Sequence, residues 1–253
     1  MRGNQHFLMT FFSVASITIP SVILSVDLSL LVFLFFSGMG SQLPDVDIGW
    51  NYSAKGKISG TSAFLSKKGS HALNQYFGRV LWLVGQITYV LIYLPYSLVL
   101  GLIFRRKWDS HRGLFHSLFA AIYTSVIFYL LITIILGNFG VANVSNIASV
   151  ISFGIFVGFV FHLLQDSLTL SGIEWFSPLS TLKISGNHIT NSDKGQLIAN
   201  LFIVYLMLLA IAPSVYAFVN GINYLPALLD KVYILLVLGW VVFMLTKGIR
   251  IRF

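Results

Sequence analysis

The chain has 253 residues, of which 57% are hydrophobic and only 9% charged, against about 25% charged in soluble domains. A chain of this size still needs a wetted surface, so the deficit excludes a soluble globular protein and makes lipid the solvent. The net charge of +8 then marks cytoplasmic loops and contacts with anionic headgroups, and no nucleic-acid partner is expected.

Apolar runs fall at 7–19, 22–42, 76–105, 112–136, 146–168, 197–219 and 227–247. A span needs about 20 apolar residues. The pattern predicts one all-α integral membrane domain over 1–253, a polytopic bundle of about six spans plus a bent or interfacial helical segment. The first run is short and stops at Pro20, which reads as a tilted or partial span. No small-residue cleavage pattern follows it, so it is kept in the mature chain. The run 76–105 contains Pro95, a helix breaker, and reads as a hairpin bent there or as an interfacial helix. Of the 16 Lys and Arg, only Lys231 then falls on the far side. The positive-inside rule makes the rich side, with both termini, cytoplasmic. Two polar stretches on that side, 43–75 and 169–196, are long enough to form structure outside the membrane.

The chain has no cysteine, which removes disulfides and thiolate metal sites. Most of the remaining ligand-type residues sit at the cytoplasmic helix ends. His6 opens the first run. Asp45 and Asp47 follow the second, in Leu43-Pro44-Asp45-Val46-Asp47. Pro44 favours extended backbone before it, and in an extended stretch the two carboxylates point the same way and repel unless a cation lies between them. His111 and His116 open the fourth run, with Asp109 or Ser110 as the expected cap and His116 on the first turns of the helix. His162 and Asp166 close the fifth and, at i and i+4, share a helix face.

Each motif alone is weak: a His at a helix end is usually interfacial, and a His/Asp pair is often a structural hydrogen bond. Together, four His and three Asp gather on one side of a chain that avoids charge, although a charge in the bilayer centre costs about 2.5–3.5 kcal/mol. Imidazole and carboxylate without thiolate suit a divalent metal, Zn or else Mn. The donor count allows one ion or two. The expected ligands are His6, Asp45, His111, His116, His162 and Asp166. Asp47 is expected to ligate or to orient water, and Arg112 to clamp an anionic substrate. Asp27 reads as a capping or packing residue near the opposite interface and His71 as solvated, while Glu174 and His188 are further candidates to cover the site. Zincin, nucleophile-elbow and phosphate-loop signatures are absent.

His6, Leu-Pro-Asp-x-Asp at 43–47, His-Arg-Gly-x-x-His-Ser at 111–117, and His-x3-Asp at 162–166 with Gly172, Trp175 and Pro178 beyond it resemble one family. It is the LexA-regulated inner-membrane group of predicted metal-dependent hydrolases, the YdjM-like domain of unknown function 457. More distantly, the pattern is similar to zinc-dependent phospholipase C. The resemblance covers roughly residues 1–196 and implies a prokaryotic inner-membrane hydrolase. In this chain Phe115 stands where the family usually has Thr, and Gln196 where a Glu is expected. The expected substrate is a phosphoester of a lipid or another membrane-associated molecule. Two other readings share the residues: a metal- or proton-coupled transporter, which would carry ionisable groups to mid-membrane, and a scaffold with a structural metal.

Overall fold

The computed structural model describes residues 3–46, 85, 87–105, 113–187 and 192–252. Among these the chain forms an all-α bundle with a small sheet at one end. Its helices are α1 (Gly3–Ser25), α2 (Ser29–Gly40), α3 (Leu94–Phe104, preceded by a π-helical turn Tyr89–Tyr93), α4 (Leu118–Asn138), α5 (Val144–Ser167), α6 (Asp193–Asn220) and α7 (Leu225–Lys247). Five are long and apolar enough to cross a membrane: α1, α4, α5, α6, and α7 with the short turn before it. Their outward faces expose Leu130, Ile134, Leu208, Val237 and Val241, as lipid-facing helices do.

The second run departs from the expected long helix. The chain reverses at residues 26–28, where Val26 takes a left-handed φ of 55°, and α2 has only 12 residues. At 1.5 Å per residue it is about 18 Å long, short of the roughly 30 Å hydrocarbon. Asp27 lies in that reversal, and its Oδ1 accepts from the Ser29 backbone N–H at 2.9 Å. Hydrogen bonding from the Ser29 side chain, and then from this backbone N–H, holds its carboxyl below the usual range, in a capping role, one of the two expected of it. Pro20 does not end the first helix, which runs through it for 23 residues. In apolar surroundings a break would strand several backbone groups, whereas passing through a proline strands one. Pro95 likewise makes no hairpin. The π-helical turn runs directly into α3 with Pro95 as its second residue, so the helix passes through the proline and the wider turn before it accommodates the missing N–H.

Helix α2 packs on α5 at backbone contact. A Cβ at Gly158 would lie 2.0 Å from the Ser37 carbonyl oxygen, and one at Gly40 would lie 2.4 Å from that of Ile155. Gly154 faces the Phe33 carbonyl in the same way. Helix α1 packs along α6 and α2, and Phe202 of α6 stacks on Phe243 of α7 at 4.2 Å. The polar stretch after α5 folds into β1 (Ile173–Glu174) and β2 (Lys183–Ser185), joined antiparallel by β3 (Arg250–Arg252) from beyond α7. Because β3 pairs with β2, the end of the chain returns to the end of the bundle where α1 begins.

Gly158→Ala is expected to cost about 1–3 kcal/mol, the usual range for overpacking, because its Cβ meets backbone that cannot rotate away. Gly137→Ala, with nothing within 4 Å of its Cβ, is expected to leave the melting temperature of the detergent-solubilised protein nearly unchanged. Equal melting temperatures for the two variants would contradict the close α2–α5 contact.

Candidate metal centre

Four elements deliver the site. His6 comes from the first turn of α1, Asp45 from the turns after α2, His116 from the loop before α4, and His162 with Asp166 from the last turns of α5. All but Asp45 are buried to 1% exposure or less. Asp45 keeps 28% of its side chain accessible.

Local sequence explains each placement. The segment after α2 is a chain of turns, with Leu43 N–H donating to Gly40 O and Val46 N–H to Leu43 O. Pro44 therefore occupies the second position of a β-turn, which its fixed φ favours. The extended stretch expected there does not form over residues 43–46, and the turn carries Asp45 to the site. Asp47 lies outside the described residues. Before α4, the His116 N–H closes a turn onto Gly113 O, and Ser117 caps the helix, its Oγ accepting from Ala120 N–H at 3.2 Å. His116 thus precedes the cap instead of lying on the helix, because the Ser117 hydroxyl satisfies a first-turn donor that a helical residue would leave open. His111, Arg112 and His188 lie outside the described residues, as does His71.

The distances form a pattern. His6 Nε2 lies 3.4 Å from Asp166 Oδ1. His162 Nε2 lies 3.7 Å from Asp166 Oδ2 and 3.7 Å from Asp45 Oδ1. His116 Nε2 lies 3.7 Å from Asp45 Oδ1 and 4.0 Å from Asp166 Oδ2. All five exceed the roughly 2.7–3.2 Å of an N–H···O hydrogen bond. They come close to the roughly 3.3–3.6 Å that separates donors placed 2.0–2.2 Å from a tetrahedral ion. Two groups can hold a cation, His6/His162/Asp166 and Asp45/His116/His162, each with its donor atoms within 4.8 Å of one another.

The tautomer of His162 suits that role. Its Nδ1 pairs with the Ser41 carbonyl oxygen at 2.8 Å. A carbonyl only accepts, so Nδ1 carries a proton and Nε2 is the atom turned toward both carboxylates, where its lone pair would meet a bound cation. The His6 ring stacks on it at 4.2 Å, a contact that two imidazolium ions would oppose. His162 belongs to both groups, and one lone pair binds one ion. Either group therefore offers one cation three ligands, and two cations at once would have to draw on further donors such as Asp47 or His111.

The sequence-predicted His6, Asp45, His116, His162 and Asp166 thus meet. Glu174 lies on β1, in the hairpin tied to the site rim by Trp175, whose Nε1–H donates to Ser167 Oγ at 2.6 Å. Sequence reading missed Ser41, which acts through its backbone, and the glycines that admit it. A signal was present: Gly154, Gly158, His162 and Asp166 recur every four residues down one stripe of α5.

The family profile described as YdjM inner membrane protein matches residues 1–248. The chain belongs to this family. No curated protein and no solved structure matches it, and the likeness to phospholipase C rests on motifs alone. Of the two departures from the family pattern, Phe115 is buried and packs edge-on against Tyr93, Tyr96 and Phe159. Gln196 lies one turn before Asn200 on α6, whose Oδ1 accepts from Gln5 Nε2 at 3.3 Å, so it shares the face turned to the start of α1.

Elemental analysis of the purified protein is expected to find about one zinc or manganese ion per chain, the stoichiometry one shared His allows. His162→Ala and Asp166→Ala should fall to background and His71→Ala should not. Metal-free wild type, purified without chelator, would count against the centre.

Proposed function

We propose that this protein is a membrane-bound, metal-dependent hydrolase that cleaves a phosphoester of a lipid or another membrane-associated molecule at the cytoplasmic end of its bundle. The carrying observation is the convergence of three His and two Asp from four elements at metal-ligand spacing. Charge balance favours a divalent ion. Three neutral imidazoles and two carboxylates carry two negative charges, which one such ion cancels in a medium where net charge is costly. The absence of thiolate favours zinc, with manganese next.

Bound there, a divalent cation supplies Lewis acidity, acidifying water and offsetting charge on an attacked phosphoryl oxygen. The residues divide the remaining work. His6, His162 and Asp166 form the closed, dry side. Asp45, the most exposed of the five, borders the route by which water and a headgroup arrive and can accept a proton there. Asp47 is assigned to orienting that water and Arg112 to holding the phosphate anion bidentately, with His111 as a further ligand. A transporter is less well supported: among the described residues, the acidic and basic groups of the long helices lie in their terminal turns.

The mixed substrate panel should hold phosphatidic acid, phosphatidylglycerol and a chromogenic phosphodiester. Turnover is expected on at least one member, abolished by chelation and restored by zinc. His116→Ala should lower it at least about 100-fold, as loss of one preorganised stabilising group does. Metal retention with no turnover on any member would favour a structural site instead.

Orientation has its own test, since a chain without cysteine accepts single reporters. Ser192→Cys should be shielded from an impermeant maleimide in intact cells, and Ala142→Cys should be labelled. The reverse would place the site on the outer face.

A further inference from the structure

Beside the centre, two buried polar atoms have no hydrogen-bond partner among the described residues: His6 Nδ1 and Gln165 Oε1. Their side chains are 1% and 0% exposed, in a place where an unsatisfied group is costly. The two are complementary. His6 turns Nε2 toward Asp166 at 3.4 Å. A ring that ligates through Nε2 carries its proton on Nδ1, and that N–H needs an acceptor. Gln165 offers one. Its Nε2 donates to Thr10 Oγ1 at 3.0 Å, which commits the amide nitrogen and leaves the carbonyl oxygen to accept. Thr10 lies one turn beyond His6 on α1, and Gln165 directly precedes Asp166 on α5. A donor without an acceptor and an acceptor without a donor thus flank one Thr.

We infer that Gln165 is a positioning residue of the metal centre, accepting the His6 Nδ1–H through one buried water and so holding Nε2 toward the cation. Two complementary polar partners suit such a water. The centre then orients two imidazoles by different means: His162 through the Ser41 carbonyl, His6 through Gln165. This rests on the metal-centre reading. A merely structural Gln165 would instead act as polar glue between α1 and α5 through Thr10, stabilising the bundle without touching the metal.

The test is zinc affinity by chelator competition in detergent, with melting temperature alongside, for wild type, Gln165→Leu and Gln165→Glu. Gln165→Leu is expected to weaken zinc binding roughly 10- to 100-fold, the usual loss for a group that orients a ligand. Gln165→Glu keeps an acceptor oxygen and should recover most of it. Nitrogen NMR of histidine-labelled wild type, with His6 assigned by its loss in His6→Gln, should show the Nδ1-protonated tautomer. Unchanged zinc affinity in Gln165→Leu, or equal weakness in both variants, overturns the inference and leaves the metal centre standing. Wild type that binds no zinc removes both. Should Gln165→Leu not fold, an Nε2-protonated His6 in wild type is enough to reject the assignment.

Discussion

Backbone contact between α2 and α5 is the constraint on which the site depends. With Gly158 against the Ser37 carbonyl and Gly40 against that of Ile155, no side chain separates the two helices. Ser41, the first residue past α2, therefore arrives with its carbonyl 2.8 Å from His162 Nδ1. Packing and chemistry are thus one event: the approach that buries apolar surface also selects the tautomer whose lone pair faces the carboxylates. The short α2 belongs to the same device. A full-length helix would carry Asp45 one or two turns past the level of His162. Twelve residues followed by tight turns stop it where its Oδ1 lies 3.7 Å from both His116 and His162.

The medium fixes the rest. Helices whose outer faces are Leu, Ile and Val leave little water to solvate a carboxylate, so Asp166, at 1% exposure, needs compensation from within. Imidazoles supply it only in part, because neutral rings bring no charge. Stacking His6 on His162 at 4.2 Å discourages protonating both. A divalent ion would resolve the conflict without a proton, and donor spacing and charge count both admit one. Partial exposure of Asp45 gives the centre one accessible edge.

Much of this was legible in the sequence, and the limits have physical causes. Composition fixes the solvent, and hydropathy finds the long helices. The i,i+4 spacing places His162 and Asp166 on one face because helical geometry is local. Three expectations fail, each for its own physical reason. Pro20 reads as a stop, yet α1 passes through it because an apolar medium penalises exposed backbone more than one missing bond. The uninterrupted apolar run 22–42 hides the reversal at Val26, since both helices it joins are equally greasy. His116 reads as helical, but the Ser117 hydroxyl wins the cap. For the meeting of α1, α2, α4 and α5, a shared membrane side is a weak guide. The stripe of glycines above His162 carries the more specific information, because small residues let helices in lipid touch.

Phe115 shows how a departure from a family pattern is weighed by direction. It adjoins His116, but the turn at 113–117 sends the two side chains opposite ways. The imidazole faces Asp45 at 3.7 Å, while the phenyl ring enters an aromatic pocket with Tyr93, Tyr96 and Phe159. A residue there cannot supply a ligand without reversing the turn, so Phe in place of Thr removes nothing from the donor set. It acts through support. The ring packs against Tyr96, whose hydroxyl lies 3.4 Å from Ser117 Oγ, and Ser117 is the cap that stops α4 one residue short of His116. Position 115 thus holds the scaffold of the imidazole, a role open to any side chain that fills the pocket.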